Sequence, residues 1–212
     1  MFYLASDGYY RVRAWDRFPW LIHGFGTRTA SRNGSLTTLR QVHSAVCIAA
    51  GGRRGCLGQG DALLENTPGR LVAVKTADCV PVLLVDERQR AVAAVHAGWR
   101  GAAQRIAEGA VAAMGDIFGS RPEDLSAAIG PAIGNCCYEV GPEVAQHFGR
   151  EGRVRLDLAA LNRQQLLEAG VPAGTVYTAG LCTACRGDEF HSYRRDRGHA
   201  GRMYSLIGIH PL

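Results

Sequence analysis

Residues 71–101 read LVAVKTADCVPVLLVDERQRAVAAVHAGWRG, and the way apolar runs alternate with polar breaks in this stretch decides the fold. LVAV, VPVLLV and AVAAV are short, unbroken and rich in valine, the pattern of strands covered on both faces. The breaks TADC and DERQR fall at strand ends, so the three runs are expected to form the heart of a sheet. Gly101 to Met114 follows with apolar residues at Ala103, Ile106, Ala107, Ala110, Val111 and Met114, which is helical spacing, and Gly115 stands where a terminator belongs.

Toward the amino terminus, Tyr9 to Ala14, Trp20 to His23 and Val42 to Ala49 each read as a strand, and Gly51-Gly52-Arg53-Arg54-Gly55 as a loop. Toward the carboxyl terminus, Pro122 and Pro142 stand at first helical positions. Asp157 is placed to cap a helix through LAALNRQQLLEA that ends at Gly170, and Arg202 to Ile209 reads as a last strand. Strands and helices in irregular order give an α+β chain. With 212 residues and neither repeat nor low-complexity linker, residues 1–212 are expected to form one domain.

Composition narrows the function classes. With 47% hydrophobic and 20% charged residues, the chain has the composition of a folded globular protein. No apolar run is long enough for a membrane span and the first residues do not resemble an export signal. Seven cysteines, an odd number without framework spacing, fit a cytoplasmic protein better than a disulfide-stapled one. The net charge of +5 comes almost wholly from scattered arginines, Lys75 being the single lysine, so the basic stripe of a nucleic-acid surface is missing.

Three segments combine a metal-capable side chain with a turn: Gln41-Val42-His43, Thr76-Ala77-Asp78-Cys79, and His96-Ala97-Gly98-Trp99-Arg100-Gly101. They are far apart in the chain, and spacing alone leaves two readings open, a metal site or packed core residues. Cys79 and His96 fall at polar breaks between apolar strands, where neighbouring side chains converge. Two imidazoles and a thiolate suit zinc, and three protein ligands leave a fourth position open, as catalytic zinc requires. Residues 130–141, rich in turn formers, hold Cys136, Cys137 and Tyr138 and read either as a pocket-lining loop or as a tight connection into the Pro142 helix. Cys182-Thr183-Ala184-Cys185 has the spacing of a redox pair or half a zinc ribbon; with no second such pair, although Cys136-Cys137 could contribute, the plainer reading is structural. Arg194 and Arg195 offer guanidinium forks for phosphate, or surface ion pairs with Asp188 and Asp196.

Together, HGFGTR (23–28), QVHS (41–44), GDALL (60–64), TADCVPVLLVD (76–86), AVHAGWRG (94–101), IGPAIGNCCYEVG (129–141) and FHSYRRDRGHAGR (190–202) resemble the YfiH-like laccase-domain family, in order and over nearly the whole chain. The resemblance implies a four-layer α/β/β/α sandwich with mixed sheets and a zinc held by His43, Cys79 and His96. It also implies phosphorolysis of adenosine, inosine and methylthioadenosine, with some adenosine deamination. The expected partners are purine nucleosides and phosphate, in a monomer or homodimer. Asp78, Cys79 and Arg100 are then the expected catalytic residues; Arg194, Arg195 or Arg100 would hold phosphate, and Gln41, Tyr138 and Asp78 would contact base or ribose. Two departures stand out. Only Thr29 to Arg40 fill a segment that is longer in the family, which bears on substrate range, and His191 replaces a usual phenylalanine.

The rival readings are a copper polyphenol oxidase, since copper(II) binds such ligands more tightly than zinc, a cysteine hydrolase or deamidase with Cys79 as nucleophile and His96 as base, and a metal-stabilised interaction module. Against the first, seven histidines without an H-x-H pair are poor material for a trinuclear copper cluster. The H-x-E and P-C-x-x-C pattern of cytidine-type zinc deaminases is also missing.

Overall fold

The run at 71–97 forms three strands, Leu71–Thr76, Val80–Asp86 and Ala91–Ala97, and the chain changes sheets within it. The structure is a computed structural model that describes residues 1–31 and 35–211. Leu71–Thr76 belongs to a seven-stranded sheet in the order Phe2–Leu4, Tyr9–Val12, Leu21–Gly26, Met203–Ile209, Leu71–Thr76, Leu36–Arg40, Gly55–Gln59. Val80–Asp86 and Ala91–Ala97 lie at the centre of a six-stranded sheet in the order Val176–Thr178, Leu125–Ile129, Val80–Asp86, Ala91–Ala97, Ala62–Glu65, Cys47–Ala49. The expected single sheet core is thus divided between two sheets. Both are mixed, with parallel pairs at Leu36–Arg40 and at Cys47–Ala49.

The two sheets stack face to face, and the pleat explains the unbroken runs. Alternate residues Leu83, Val85, Val92 and Ala94 point into the sandwich interior, where they meet Phe25, Val72, Val74 and Ile207 of the seven-stranded sheet. The intervening Val80, Val82, Leu84, Ala93 and Val95 point outward and pack under helices. A strand covered on both sides has no polar face to show, so its sequence loses the period of two. A smaller cluster of Tyr9, Ala73 and Leu206 occupies the far face of the seven-stranded sheet. The whole is an α+β sandwich of mixed sheets.

Helix α1, Trp99–Ala103, follows the strand ending at Ala97. The chain then breaks at Arg105, which adopts a left-handed φ of 59°, and α2 runs from Ile106 to Phe118. The expected stop at Gly115 is corrected to Gly119, whose φ of 71° closes the helix in the left-handed conformation. A glycine inside a helix costs only about 1 kcal/mol, too little to end one that buries Ile106, Ala110 and Met114. Pro142 opens α3, Pro142–Ala145. Asp157 caps α4, Leu158–Glu168, by accepting from the Ala160 amide at 2.8 Å. Ser192 caps the one-turn α5, Tyr193–Asp196.

One expected strand is shorter than its sequence suggests. Of Val42 to Ala49 only Cys47–Ala49 pairs in a sheet, because the amides of Val42, His43 and Ser44 are turned onto the carboxylate of Asp61 instead. Of the short segment Thr29 to Arg40, residues 36–40 form a strand and residues 32–34 lie outside the described residues.

Candidate metal centre and pocket

Three times the chain passes from the seven-stranded sheet to the six-stranded one through a short connection: from Leu36–Arg40 to Cys47–Ala49, from Gly55–Gln59 to Ala62–Glu65, and from Leu71–Thr76 to Val80–Asp86. These crossings carry His43, Asp61 and Cys79 in turn. His96 joins them from the end of Ala91–Ala97, where it pairs with Pro81. The potential ligand atoms of His43, Cys79 and His96 all lie within 4.8 Å of one another. Cys79 Sγ is 4.0 Å from His43 Nε2, and the two imidazoles stand edge to face with centroids 4.9 Å apart.

Asp61, fully buried, organises the set. One oxygen lies 2.8 Å from His96 Nδ1 and 3.0 Å from the His43 amide; the other accepts from the Ser44 amide and hydroxyl, each at 2.7 Å. With Nδ1 donating to Asp61, His96 keeps Nε2 as its ligand atom, the arrangement that fixes tautomer and ring orientation in metal sites. His43 pays for its place in backbone geometry, a φ of 61°, which a non-glycine residue holds only where its surroundings fix it. Gly98 completes the fit. A Cβ there would lie 2.8 Å from His43 Cδ2 and 3.1 Å from Cys79 Sγ.

The electrostatics favour a charged cluster. Burial alone would push the Cys79 thiol up, yet hydrogen bonds and charge from His43 and His96 bring it down to about 6. Burial pulls His96 down, but Asp61 and Cys79 raise it to about 9. Burial likewise opposes ionisation of Asp61, and the hydrogen bonds from His96 and Ser44 outweigh it, holding the carboxyl well below the usual range. A thiolate beside two imidazoles, one oriented by a buried carboxylate, is a donor set that fits zinc.

The cluster lies in a cavity of about 710 Å³ whose walls include Arg40, Gln41, Lys75, Asp78, Trp99, Arg100, Tyr138, Arg194 and Arg202. That volume suits a small-molecule ligand. Arg100 lies over the Trp99 ring at 4.3 Å and Arg194 over Tyr138 at 5.1 Å. Burial and the nearby Cys79 raise the Tyr138 hydroxyl to about 12, so it stays protonated as a donor. Gln41 pairs its amide with both backbone groups of Lys75, at 2.8 Å each. Asp78, in a left-handed φ of 88°, receives the Thr183 hydroxyl at 2.6 Å, the Ser192 hydroxyl at 3.1 Å and the Arg194 amide at 2.7 Å. Its carboxylate therefore ties two distant loops to the floor of the cavity.

Arg195 is not brought to the cavity. Its guanidinium donates to the carbonyls of Thr183, Ala184 and Phe190 and to Asp196, so it fastens the loop that carries Arg194. His191 faces a separate, smaller cavity of about 140 Å³ beside Arg28 and Tyr204, where burial and Arg28 lower its basicity. Sequence reasoning gave no role to Asp61, although it lies in the quoted GDALL segment, nor to Gly98, Lys75 and Arg202.

A sequence profile for the family described as multi-copper polyphenol oxidoreductase laccase matches residues 25–210. The chain belongs to this family. A relative from Deinococcus radiodurans named purine nucleoside phosphorylase is 42% identical over 181 residues, 81% of this chain and 69% of its own length. Another of that name from Bacteroides thetaiotaomicron is 41% identical over 71% of this chain and 61% of its own length, and a protein of an unknown prokaryote named adenosine deaminase RL5 is 38% identical over 69% and 61%. The matched region thus spans between three fifths and about seven tenths of these relatives. Among solved structures, YlmD from Geobacillus stearothermophilus superposes with a TM-score of 0.91 at 30% identity, covering 99% of this chain and 98% of that one. Bacillus licheniformis YfiH gives 0.89 at 30% identity, with 98% of each chain covered. Among the described residues, no helix is long and apolar enough to cross a membrane.

Proposed function

We propose that this member of the laccase-like family is a zinc-dependent purine nucleoside phosphorylase. The observation that carries the reading is the meeting of a three-donor metal set, His43, Cys79 and His96, with a cavity walled by arginines and aromatic rings; the names of the relatives point the same way. Zinc held by these three residues supplies a Lewis acid to whatever oxygen or nitrogen group is brought against it.

Breaking a purine glycosidic bond builds positive charge on the sugar and negative charge on the leaving base, so the site must place phosphate near the sugar and donate to the base. Arg100 and Arg194 present the guanidinium forks that match phosphate oxygens. Tyr138 offers an aromatic face and a hydroxyl that remains a donor at neutral pH. Asp78 acts as a positioning residue through the Arg194 amide.

Purified, metal-quantified protein is incubated with adenosine, inosine or methylthioadenosine, with and without phosphate, and base, sugar 1-phosphate and ammonia are scored. Phosphate-dependent release of base that disappears in Cys79→Ala supports the reading. Folded, zinc-loaded protein that turns over none of these nucleosides overturns it. Ammonia released from adenosine without phosphate supports a deaminase reading, which the 38%-identical relative named adenosine deaminase favours.

The copper oxidase reading is weaker on donor chemistry. Among the described residues the metal-capable groups are this three-donor set and a cluster of four cysteines, and neither has the histidines of a trinuclear copper centre. A cysteine hydrolase would use the same lowered thiol, but it gives no account of a second imidazole, His43, within reach of the sulfur.

A further inference from the structure

Outside the pocket, the fold brings together four cysteines that the chain holds in two pairs: Cys136-Cys137 in the loop before α3 and Cys182-x-x-Cys185 in the loop before α5. Their four sulfurs all lie within 4.8 Å of one another, with Cys185 at 3.6 Å from Cys136 and 3.4 Å from Cys137. The geometry points to a second metal site, a closed four-thiolate zinc centre that clamps these two loops together.

Tetrahedral zinc with bonds of about 2.3 Å sets its sulfurs about 3.8 Å apart. Cys185 stands near that separation from Cys136 and Cys137, the other sulfurs lie within 4.8 Å, and all four are free, whereas a disulfide needs about 2.05 Å. The backbone is arranged for anionic sulfur as well. The Gly134 amide donates to Cys182 Sγ at 3.2 Å, and the Cys185 amide donates to the same sulfur. Such amide donors support thiolate ligands from outside the coordination sphere. Cys136 and Cys185 are exposed, so the site has an entry path for the ion. Four sulfurs with no open position describe a structural centre, and a soft all-thiolate set selects zinc over harder cations.

The position of the cluster gives it a task. The two loops already meet through a bridge between Ala132 and Cys182 and a bond from the Thr183 amide to the Ala132 carbonyl at 3.0 Å. Tyr138 directly follows Cys137, and Thr183, next to Cys182, donates to Asp78. Arg194 in turn donates to the carbonyl of Cys137 at 3.2 Å. Holding the four sulfurs on one ion fixes the wall of the cavity that carries Tyr138 and Arg194.

The test reads metal content and does not depend on the proposed reaction. The full chain, purified without chelator or added metal, is analysed by elemental mass spectrometry beside Cys182→Ser/Cys185→Ser and His43→Ala. Wild type is expected to hold about two zinc ions per chain and each variant about one. A second measurement on wild type alone covers the event that the serine variant does not fold. Alkylation mapped by peptide should be slow at Cys136 and Cys185 until a chelator is added, with exposed Cys56 modified at the same rate throughout. About one zinc in wild type that persists in the double-serine variant overturns the proposal. So does iron in place of zinc, a disulfide among the four in non-reduced protein, or alkylation of Cys136 and Cys185 at the Cys56 rate before chelation.

Discussion

Asp61 sets one carboxylate oxygen 2.8 Å from His96 Nδ1 and 3.0 Å from the His43 amide, so a single buried atom positions two of the three proposed ligands. Asp61→Asn loses the charge that orients His96 and is expected to weaken zinc binding about 10- to 100-fold. Chelator competition on the purified variant measures this. An affinity equal to wild type would show that the imidazole is oriented by something else.

Gly98→Ala makes a purely steric test of the same centre. The added methyl would crowd the His43 ring and the Cys79 sulfur, while the backbone φ of −70° at Gly98 is one that alanine adopts freely. The expected outcome is a folded protein with circular dichroism like wild type and loss of the metal bound at this centre. Full occupancy would mean that the ligands can shift by several tenths of an ångström without cost.

The two adjacent arginines should separate cleanly. Arg194→Ala is expected to raise KM for phosphate about tenfold, or ~1.4 kcal/mol, because Arg194 lines the cavity, and to lower the melting temperature less than Arg195→Ala does, because its guanidinium donates to only two carbonyls, those of Cys137 and Glu139. Arg195→Ala should lower the melting temperature, because its guanidinium holds three carbonyls and Asp196. Steady-state kinetics and thermal melts on both variants check the pair, and the reverse pattern would exchange their roles.

His23 gives the fold a pH dependence of its own. It is buried, accepts the Val12 amide at 2.9 Å, and is held down to about 4 by burial first and by Arg11 second. The unfolded chain takes up this proton near pH 6.5 while the native state resists until about 4, so stability is full above that window and falls as the pH drops through it. The slope is about 1.4 kcal/mol per pH unit and the total about 3 kcal/mol. Urea titrations of chelator-treated protein at neutral and acidic pH should show this loss in wild type, and His23→Gln, which keeps an acceptor but does not titrate, should show correspondingly less.

The parts of this structure that could be read from sequence are those where burial imposes a pattern. Val80–Asp86 and Ala91–Ala97 announce themselves because both faces are covered, and the helix capped by Asp157 carries its own start signal. Gly55–Gln59, by contrast, is largely exposed at a sheet edge, so no alternation marks it as a strand. The division of the 71–97 run between two sheets was equally invisible, since TADC reads the same whether the chain reverses within a sheet or crosses to another. His43, Cys79 and His96 stood out by residue type and resemblance. Asp61 did not, because its role rests on hydrogen bonds to residues 17 to 35 positions away, and Cys136-Cys137 met Cys182 and Cys185 only through the pairing of their loops.

The strand Met203–Ile209, last of the described strands, lies in the middle of its sheet, between Leu21–Gly26 and Leu71–Thr76. On a ribosome these two neighbours emerge long before the strand that must join them, and each waits with an unpaired edge. Leu71–Thr76 leads directly into the crossing that carries Cys79, so one ligand of the centre hangs from a strand whose neighbour is not made until residue 203. The expected order is therefore synthesis, insertion of the central strand, then capture of the ion by His43, Cys79 and His96, and a ribosome-bound intermediate short of residue 203 should lack the metal of that centre.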